Sequence, residues 1–298
     1  VKNIDQLAYW INERQAIYER RLHNVPWPWT SDPILQEYSF CNVFRELDKV
    51  TVWVRENWRE PYYDHPNLWF AMCIARQINW PETLAELEWP ENVDAAYWER
   101  MRSALYERKA RGDKIYTGAY MINGPKQKDI EANGTNCKID FTINQVLRPL
   151  YEAGDPFKQG VHTIEGITRY LSQFMGWSGF MGYEVASDLR HTRYLNYAPD
   201  ILTWANPGPG AMRGVKRVYG YGVDENPKHL SKETHFVEAM CEIWEKLVGG
   251  GEHTLLSDAV LNHPFEMREV EHSLCELDKY LRVKNGEGRP RAKYHFTS

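Results

Sequence analysis

Three groups of residues bring acids, bases and cations close enough in the sequence to do chemistry. The first runs from Glu271-His272 through Cys275-Glu276 to Lys279. In a helix, His272, Glu276 and Lys279 share one stripe, Glu271, Cys275, Asp278 and Arg282 a second, and Val270, Leu274, Leu277 and Leu281 an apolar third. If a polar stripe lines a cleft, Glu271 or His272 takes a proton from an amine or hydroxyl. If it meets water, it is an ordinary charged helix face. The second group is Glu13-Arg14 with the run Phe40 to Asp48. Asn42, Arg45 and Asp48 lie three apart, so in a helix they share a face. There Arg45 holds a phosphate or pyrophosphate in bidentate fashion, or pairs with Asp48. The third group is Ile201-Leu202-Thr203-Trp204-Ala205-Asn206-Pro207-Gly208-Pro209-Gly210-Ala211. Two short helices joined through Gly208 and Gly210 make a helix-hairpin-helix. Amides opening the second helix point at a phosphate, with Arg213, Lys216 and Arg217 in reach of the same anion. The alternative is a plain Gly-Pro turn between core helices. Folds that use this hairpin for base chemistry place an acid beside it. Of Asp188, Asp200 and Asp224, we prefer Asp188, because Asp200 beside Pro199 reads as a helix cap and Asp224 falls in a loop.

The elements that must position these groups are nearly all helical. Apolar spacing predicts helices over residues 4–22, 33–50 with continuation to 58, 68–78, 93–109, 140–151, 163–175, 180–189, 200–205, 233–247 and 264–283. Another opens at about Ala211, and Pro81 opens a short one. Alternation over 114–122 predicts a short strand, and the polar stretch 126–135 a surface loop. The expected fold is mainly α: two helical lobes, 1–153 and 154–298, divided at Gly154-Asp155-Pro156 with a cleft between them, and at most a small β element.

Composition sets outer limits. At 43% hydrophobic residues, the 298-residue chain is no disordered protein. A net charge of -5 argues against coating nucleic acid by bulk electrostatics. Between residues 189 and 223, however, Arg190, Arg193, Arg213, Lys216 and Arg217 meet one acid, Asp200, so the local field is positive. With 12 Trp and 18 Tyr, some rings are available to stack on bases; Trp204 and Trp177 are candidates, with core packing as the alternative. The five cysteines are scattered and form no CxxC pair, which fits reduced thiols. Residues 1–5 carry no signal-peptide pattern, and no apolar run reaches membrane-spanning length. There is no GxxxxGK[ST], HExxH, EF-hand loop or zinc-deaminase signature, which argues against a P-loop kinase and a zinc hydrolase.

Taken together, several of these segments resemble a known family. They are Trp29-Thr30-Ser31-Asp32, the run Phe40 to Asp48, Tyr116 to Met121, Gly179 to Leu189, Asp200 through Gly210-Ala211 to Arg213-Gly214, and Glu271-His272 with Leu274-Cys275-Glu276 and Lys279-Tyr280. The chain resembles the alpha-glutamyl/putrescinyl thymine pyrophosphorylases, or amino acid:DNA transferases, over nearly its whole length. A related helical domain carries the name of hydroxymethyluracil DNA kinases. The resemblance implies a DNA-glycosylase-like fold and phage DNA hypermodification in the cytoplasm of an infected bacterium. A separate kinase pyrophosphorylates hydroxymethyluracil in double-stranded DNA; the transferase then displaces pyrophosphate from the 5-methylene carbon with an amino acid or amine. The absence of a P-loop suits the second step.

In that chemistry Arg14, Arg45 and Lys279, with Asn42 and Asp48, are the expected pyrophosphate site, and Asp188, Glu271 or His272 the base that receives the amine's proton. No organic cofactor is implied; Mg²⁺ accompanying pyrophosphate is compatible with the acids present. Expected partners are the modified DNA, a free amino acid or polyamine, and other phage modification enzymes, with no membrane. Two other readings of the same features are a DNA glycosylase that excises a modified base and a non-catalytic DNA-binding module.

Overall fold

A computed structural model describes residues 1–118, 130, 137–249, 253–288 and 293–294. Helices dominate, and the single β-type pairing among these residues is an isolated antiparallel bridge, Tyr38 to Lys293. The chain forms two compact units, Val1–Asp48 with Asp200–Ser298, and Lys49–Pro199. The turn at Gly154, where a lobe boundary was expected, lies inside the second unit; its φ of 90° suits a residue without Cβ.

The first unit contains α1 (Ile4–Leu22) and α2 (Pro33–Glu37). Asp32 caps α2, its Oδ1 accepting from the amides of Ile34 and Leu35 at 2.8 and 3.1 Å, with Pro33 supplying the first helical φ. The helix predicted over 33–50 ends at Glu37. Residues 38–44 are irregular, with Tyr38 and Phe44 extended, and a 3-10 turn, Arg45–Leu47, follows. Side chains explain the break. Asn42 Nδ2 donates to the Leu47 carbonyl at 2.9 Å, and Asp48 Oδ1 accepts from the Asn42 amide at 3.1 Å, so polar groups take backbone partners that a helix would have used.

After residue 200 the expected helix reduces to one turn, with the Thr203 and Trp204 amides both donating to the Asp200 carbonyl. Pro207 and Pro209 lack the amides to propagate it. The hairpin's second helix is present as α11 (Pro209–Tyr219), which follows the eight described helices of the second unit in the chain. Then come α12 (Glu233–Val248), ended by Gly249 at φ 81°, α13 (Asp258–Leu261) and α14 (Met267–Lys284). Helix α14 is the axis of this unit and packs against α1, α2, α11 and α12. Its Val270, Leu274, Leu277 and Leu281 are buried, as the apolar stripe requires.

The second unit comprises α3 (Lys49–Val54), which runs into a π-helical turn Arg55–Arg59, then α4 (Leu68–Ile78), α5 (Pro81–Leu84) and α6 (Ala95–Ala110). Next, α7 (Lys138–Phe141) and α8 (Arg148–Glu152) flank a π-helical stretch, Thr142–Leu147. The unit closes with α9 (Ile164–Leu171) and α10 (Gly179–Leu189). All of α4 is buried. Asp94, Thr163 and Ser178 cap α6, α9 and α10. Gly182 lets α10 cross α9 closely, since a Cβ there would lie 2.8 Å from the Thr168 carbonyl. Residues 114–118 form no strand; Ile115 instead accepts from Thr83 Oγ1 through its carbonyl at 2.8 Å. Residues 119–122, the rest of that expectation, and nearly all of the expected loop 126–135 lie outside the described residues. No helix among the described residues is long and apolar enough to cross a membrane.

Candidate functional site

Helix α14 turns its Arg268–His272–Glu276–Lys279 side toward the irregular segment 38–48, and α1 adds Arg14. Arg14 is buried, and its Nη2 donates to Asn42 Oδ1 at 2.6 Å and to the Phe40 carbonyl at 3.4 Å. Asn42 Nδ2 donates in turn to Asp48 Oδ1 at 3.0 Å, and Arg45 Nε lies 2.5 Å from Asp48 Oδ2. Arg45 Nη1 reaches His272 Nδ1 at 3.5 Å. Glu276 Oε2 accepts from the Cys41 amide and from Lys279 Nζ, each at 3.1 Å. Lys279 Nζ also sits 4.7 Å from the centre of the Phe40 ring, and Arg268 Nη1 faces Glu46 at 3.8 Å. Arg14, Asn42, Arg45, Asp48, Lys279 and His272 therefore occupy one cluster, although Asn42, Arg45 and Asp48 meet through side-chain bonds in a loop and not on a helix face.

The cluster is rich in unspent donors. Arg14 Nη1, both Nη atoms of Arg268 and His272 Nε2 are buried and have no hydrogen-bond partner among the described residues. Buried donors left unmatched cost about 1–3 kcal/mol each, more when charged, so a polar guest that accepts from several of them at once would be bound favourably. Arg14, Arg45, Arg268 and Lys279 outnumber their carboxylate partners Glu46, Asp48 and Glu276. Burial drives the His272 pKa well below its ordinary 6.5, and the positive fields of Arg45, Arg268, Lys279 and Arg14 push the same way. The imidazole is thus neutral at neutral pH. Cys41 and Cys275 are no thiolates: burial foremost, then the nearby Glu276 for Cys41 and Glu271 for Cys275, push each up to about 12.

Beside this cluster lies a cavity of about 210 Å³. Trp27, Trp29, Tyr38, Phe40 and Tyr294 give it aromatic walls, and Arg14 and Arg21 line it too. The Trp27 and Tyr294 rings stack at 5.8 Å and 19°, and the Arg21 guanidinium lies 5.1 Å from the Trp29 ring centre. Tyr294 is held by the chain pairing at Tyr38, where its amide donates to the Glu37 carbonyl at 2.9 Å. Arg14 and Phe40 belong to both cavity and cluster.

Other candidate residues sit elsewhere. Asp188 is fully buried in the second unit, where Arg76 donates to its Oδ2 through Nε and to its Oδ1 through Nη2. Thr51 Oγ1 and Asn79 Oδ1 take further Arg76 donors at 3.2 and 3.3 Å. Glu271 lies by the start of α11, its Oε1 3.5 Å from where a Cβ on Gly208 would be. A Cβ on Gly210 would fall 2.3 Å from Cys275 Sγ, so this glycine serves the contact between α11 and α14. Arg213 and Arg217 both pair with Asp278, at 2.8 and 2.9 Å. Lys216 is buried, and its Nζ donates to the Val223 carbonyl and Asn226 Oδ1. Trp177 and Trp204 are buried in the core. Arg268, Trp27, Arg21 and Tyr294 escaped the sequence reading. Arg268 was within reach of it, one turn before His272 on the same stripe. Tyr294 joins the cavity only through the long-range pairing at Tyr38, which carries no local signal.

The chain is 29% identical over 291 residues to a protein of Bacillus phage SP10 named 5-hmdU DNA kinase, an alignment covering 92% of this chain and 44% of that protein. The chain thus spans less than half the length of that relative. No solved structure matches it. Residues 1–289 match the family described as 5-hmdU DNA kinase, helical domain, and the chain belongs to that family.

Proposed function

We propose that this chain takes part in hypermodifying thymine in phage DNA, by transferring an amine or amino acid to a thymine 5-methylene carbon that carries pyrophosphate. The observation behind this reading is the cation cluster, in which the buried Arg14 and Arg268 carry unmatched donors. The amine nitrogen attacks the methylene carbon, the carbon–oxygen bond breaks, and its electron pair leaves on pyrophosphate. Arg14, Arg45, Arg268 and Lys279 neutralise that leaving group as its charge grows. His272 takes on its Nδ1 the proton that the amine must shed; Arg45 gives up that nitrogen as its guanidinium turns to the leaving pyrophosphate. A leaving group of several negative charges suits four clustered cations, two of them buried; a glycosylase needs no such cluster, and neither does a passive binding module.

The phage relative's name favours a second reading, in which the same cluster serves a kinase acting on 5-hydroxymethyluracil in DNA. Nucleoside mass analysis separates the two. Double-stranded DNA carrying 5-pyrophosphoryloxymethyluracil is incubated with the protein and a pool of amino acids and polyamines. A nucleoside heavier by one amine, with released pyrophosphate, is the expected result. Phosphate gained by 5-hydroxymethyluracil DNA from ATP, with no amine product, would establish the kinase reading. Free base or abasic sites would mean a glycosylase.

A further inference from the structure

We propose that the aromatic cavity beside Arg14 seats a single pyrimidine ring turned out of the DNA stack, with the ring's 5-substituent passing into the cation cluster. The inference rests on the reading of the chain as a DNA-base enzyme, and it adds where the base sits. At about 210 Å³ the cavity lies below the roughly 300 Å³ at which drug-sized pockets begin, which suits one ring and little more. Its walls are the type on which bases stack irrespective of sequence, because every base has a π-face. An aromatic box can also hold an organic cation, such as the incoming amine. Arg14 and Arg21 line this one and repel such a guest. A neutral ring with carbonyl oxygens meets no such penalty.

The junction between cavity and cluster sets the ring's direction. Phe40 forms cavity wall and carries Lys279 against its ring. Arg14 lines the cavity and holds Asn42. A substituent one bond removed from a ring seated on Phe40 therefore enters the cations directly, whereas a ring seated elsewhere would have to reach them across protein.

The test uses a short single-stranded oligonucleotide carrying one 5-iodouracil, irradiated on the full chain and mapped by peptide mass analysis. Its dissociation constant is also measured for wild type, Trp29→Leu and Tyr294→Ala. Crosslinks are expected within residues 27–40 or at Tyr294. Each substitution should weaken binding about tenfold, the loss belonging to one base–aromatic stack, with an unchanged circular dichroism spectrum. Crosslinks confined to other residues, or wild-type affinity in both variants, would overturn the proposal. Amine transfer scored on the same preparations separates the two ideas: transfer without cavity crosslinks sinks the ring seat alone, and cavity crosslinks without transfer sink the transferase alone.

Discussion

The neutral imidazole of His272 sits among four cations, and this sets how the site answers to acid. Its folded pKa lies below the unfolded value near 6.5, so the unfolded chain binds the proton more readily. The resulting stability is complete above pH 6.5 and is lost as pH falls below it. Urea midpoints between pH 5 and 7.5 should drop with acid in wild type and drop less in His272→Gln. A bound polyanion cancels the fields of Arg14, Arg45, Arg268 and Lys279 and raises the same pKa. Pyrophosphate should then bind with uptake of a proton and more tightly at pH 6 than at pH 7.5. Calorimetry in buffers of different ionisation heat reads this directly, and equal heats in all buffers would refute it. Arg268→Met offers a sharper contrast. Removing a buried guanidinium with unmatched donors, whose contact to the half-buried Glu46 is long at 3.8 Å, should change the melting temperature little, yet weaken pyrophosphate binding at least tenfold. Residue types made much of this cluster legible: Arg14, Asn42, Arg45, Asp48, His272 and Lys279 could be named from the sequence, and they do meet. Asp188 illustrates the limit. Nothing local tells a buried carboxylate gripped by Arg76 from one facing a substrate, because the partner lies 112 positions away.

At the scale of elements, the contact between α11 and α14 depends on two glycines that fail differently when filled. A Cβ at Gly214 would lie 2.2 Å from the Leu274 carbonyl oxygen, and backbone cannot step aside. Gly214→Ala should lower the melting temperature sharply, with no rescue by changing side chains on α14. At Gly210 the nearest atom is Cys275 Sγ, the end of a side chain. Gly210→Ala should be milder, and adding Cys275→Ala should restore much of the loss. Thermal melts of the three variants decide it. Helix α14 has a second titrating group at its start. Glu269 accepts from the Glu266 amide as part of a capping box, and burial pushes its carboxyl up to about 7. The folded state keeps this proton where the unfolded chain releases it near 4.5, so the stability it lends is full below pH 4.5 and lost by about pH 7. The slope opposes that of His272, and Glu269→Gln should leave the acid-sensitive part standing alone. Long periodic helices such as α1, α4, α12 and α14 could be read from the sequence. The break after Glu37 could not, since the apolar spacing of Phe40, Val43, Phe44 and Leu47 suits a helix, and the deciding bonds of Asn42 to Leu47 and Asp48, though local, leave no mark on that spacing.

Across the whole molecule, the first unit is assembled from both ends of the described chain, with Lys49–Pro199 inserted between them. Every residue of the cation cluster and the cavity belongs to it. Hydrogen exchange with saturating pyrophosphate should therefore slow in α1, residues 38–48 and α14, and leave α4 and α10 unaltered; uniform protection would show that the anion sits elsewhere. The interrupted layout also bears on synthesis. Segment Lys49–Pro199 is continuous and can gather its own core while the ribosome is still adding residues. Helix α1 and the Phe40–Asp48 segment must wait for α14, and the cavity for Tyr294. At roughly 5–20 residues per second, that delay is on the order of 10–50 s. Throughout it Leu7, Trp10 and Ile11, buried in the finished protein, stand exposed on the nascent chain, which makes the early helix a natural client for a chaperone at the exit tunnel.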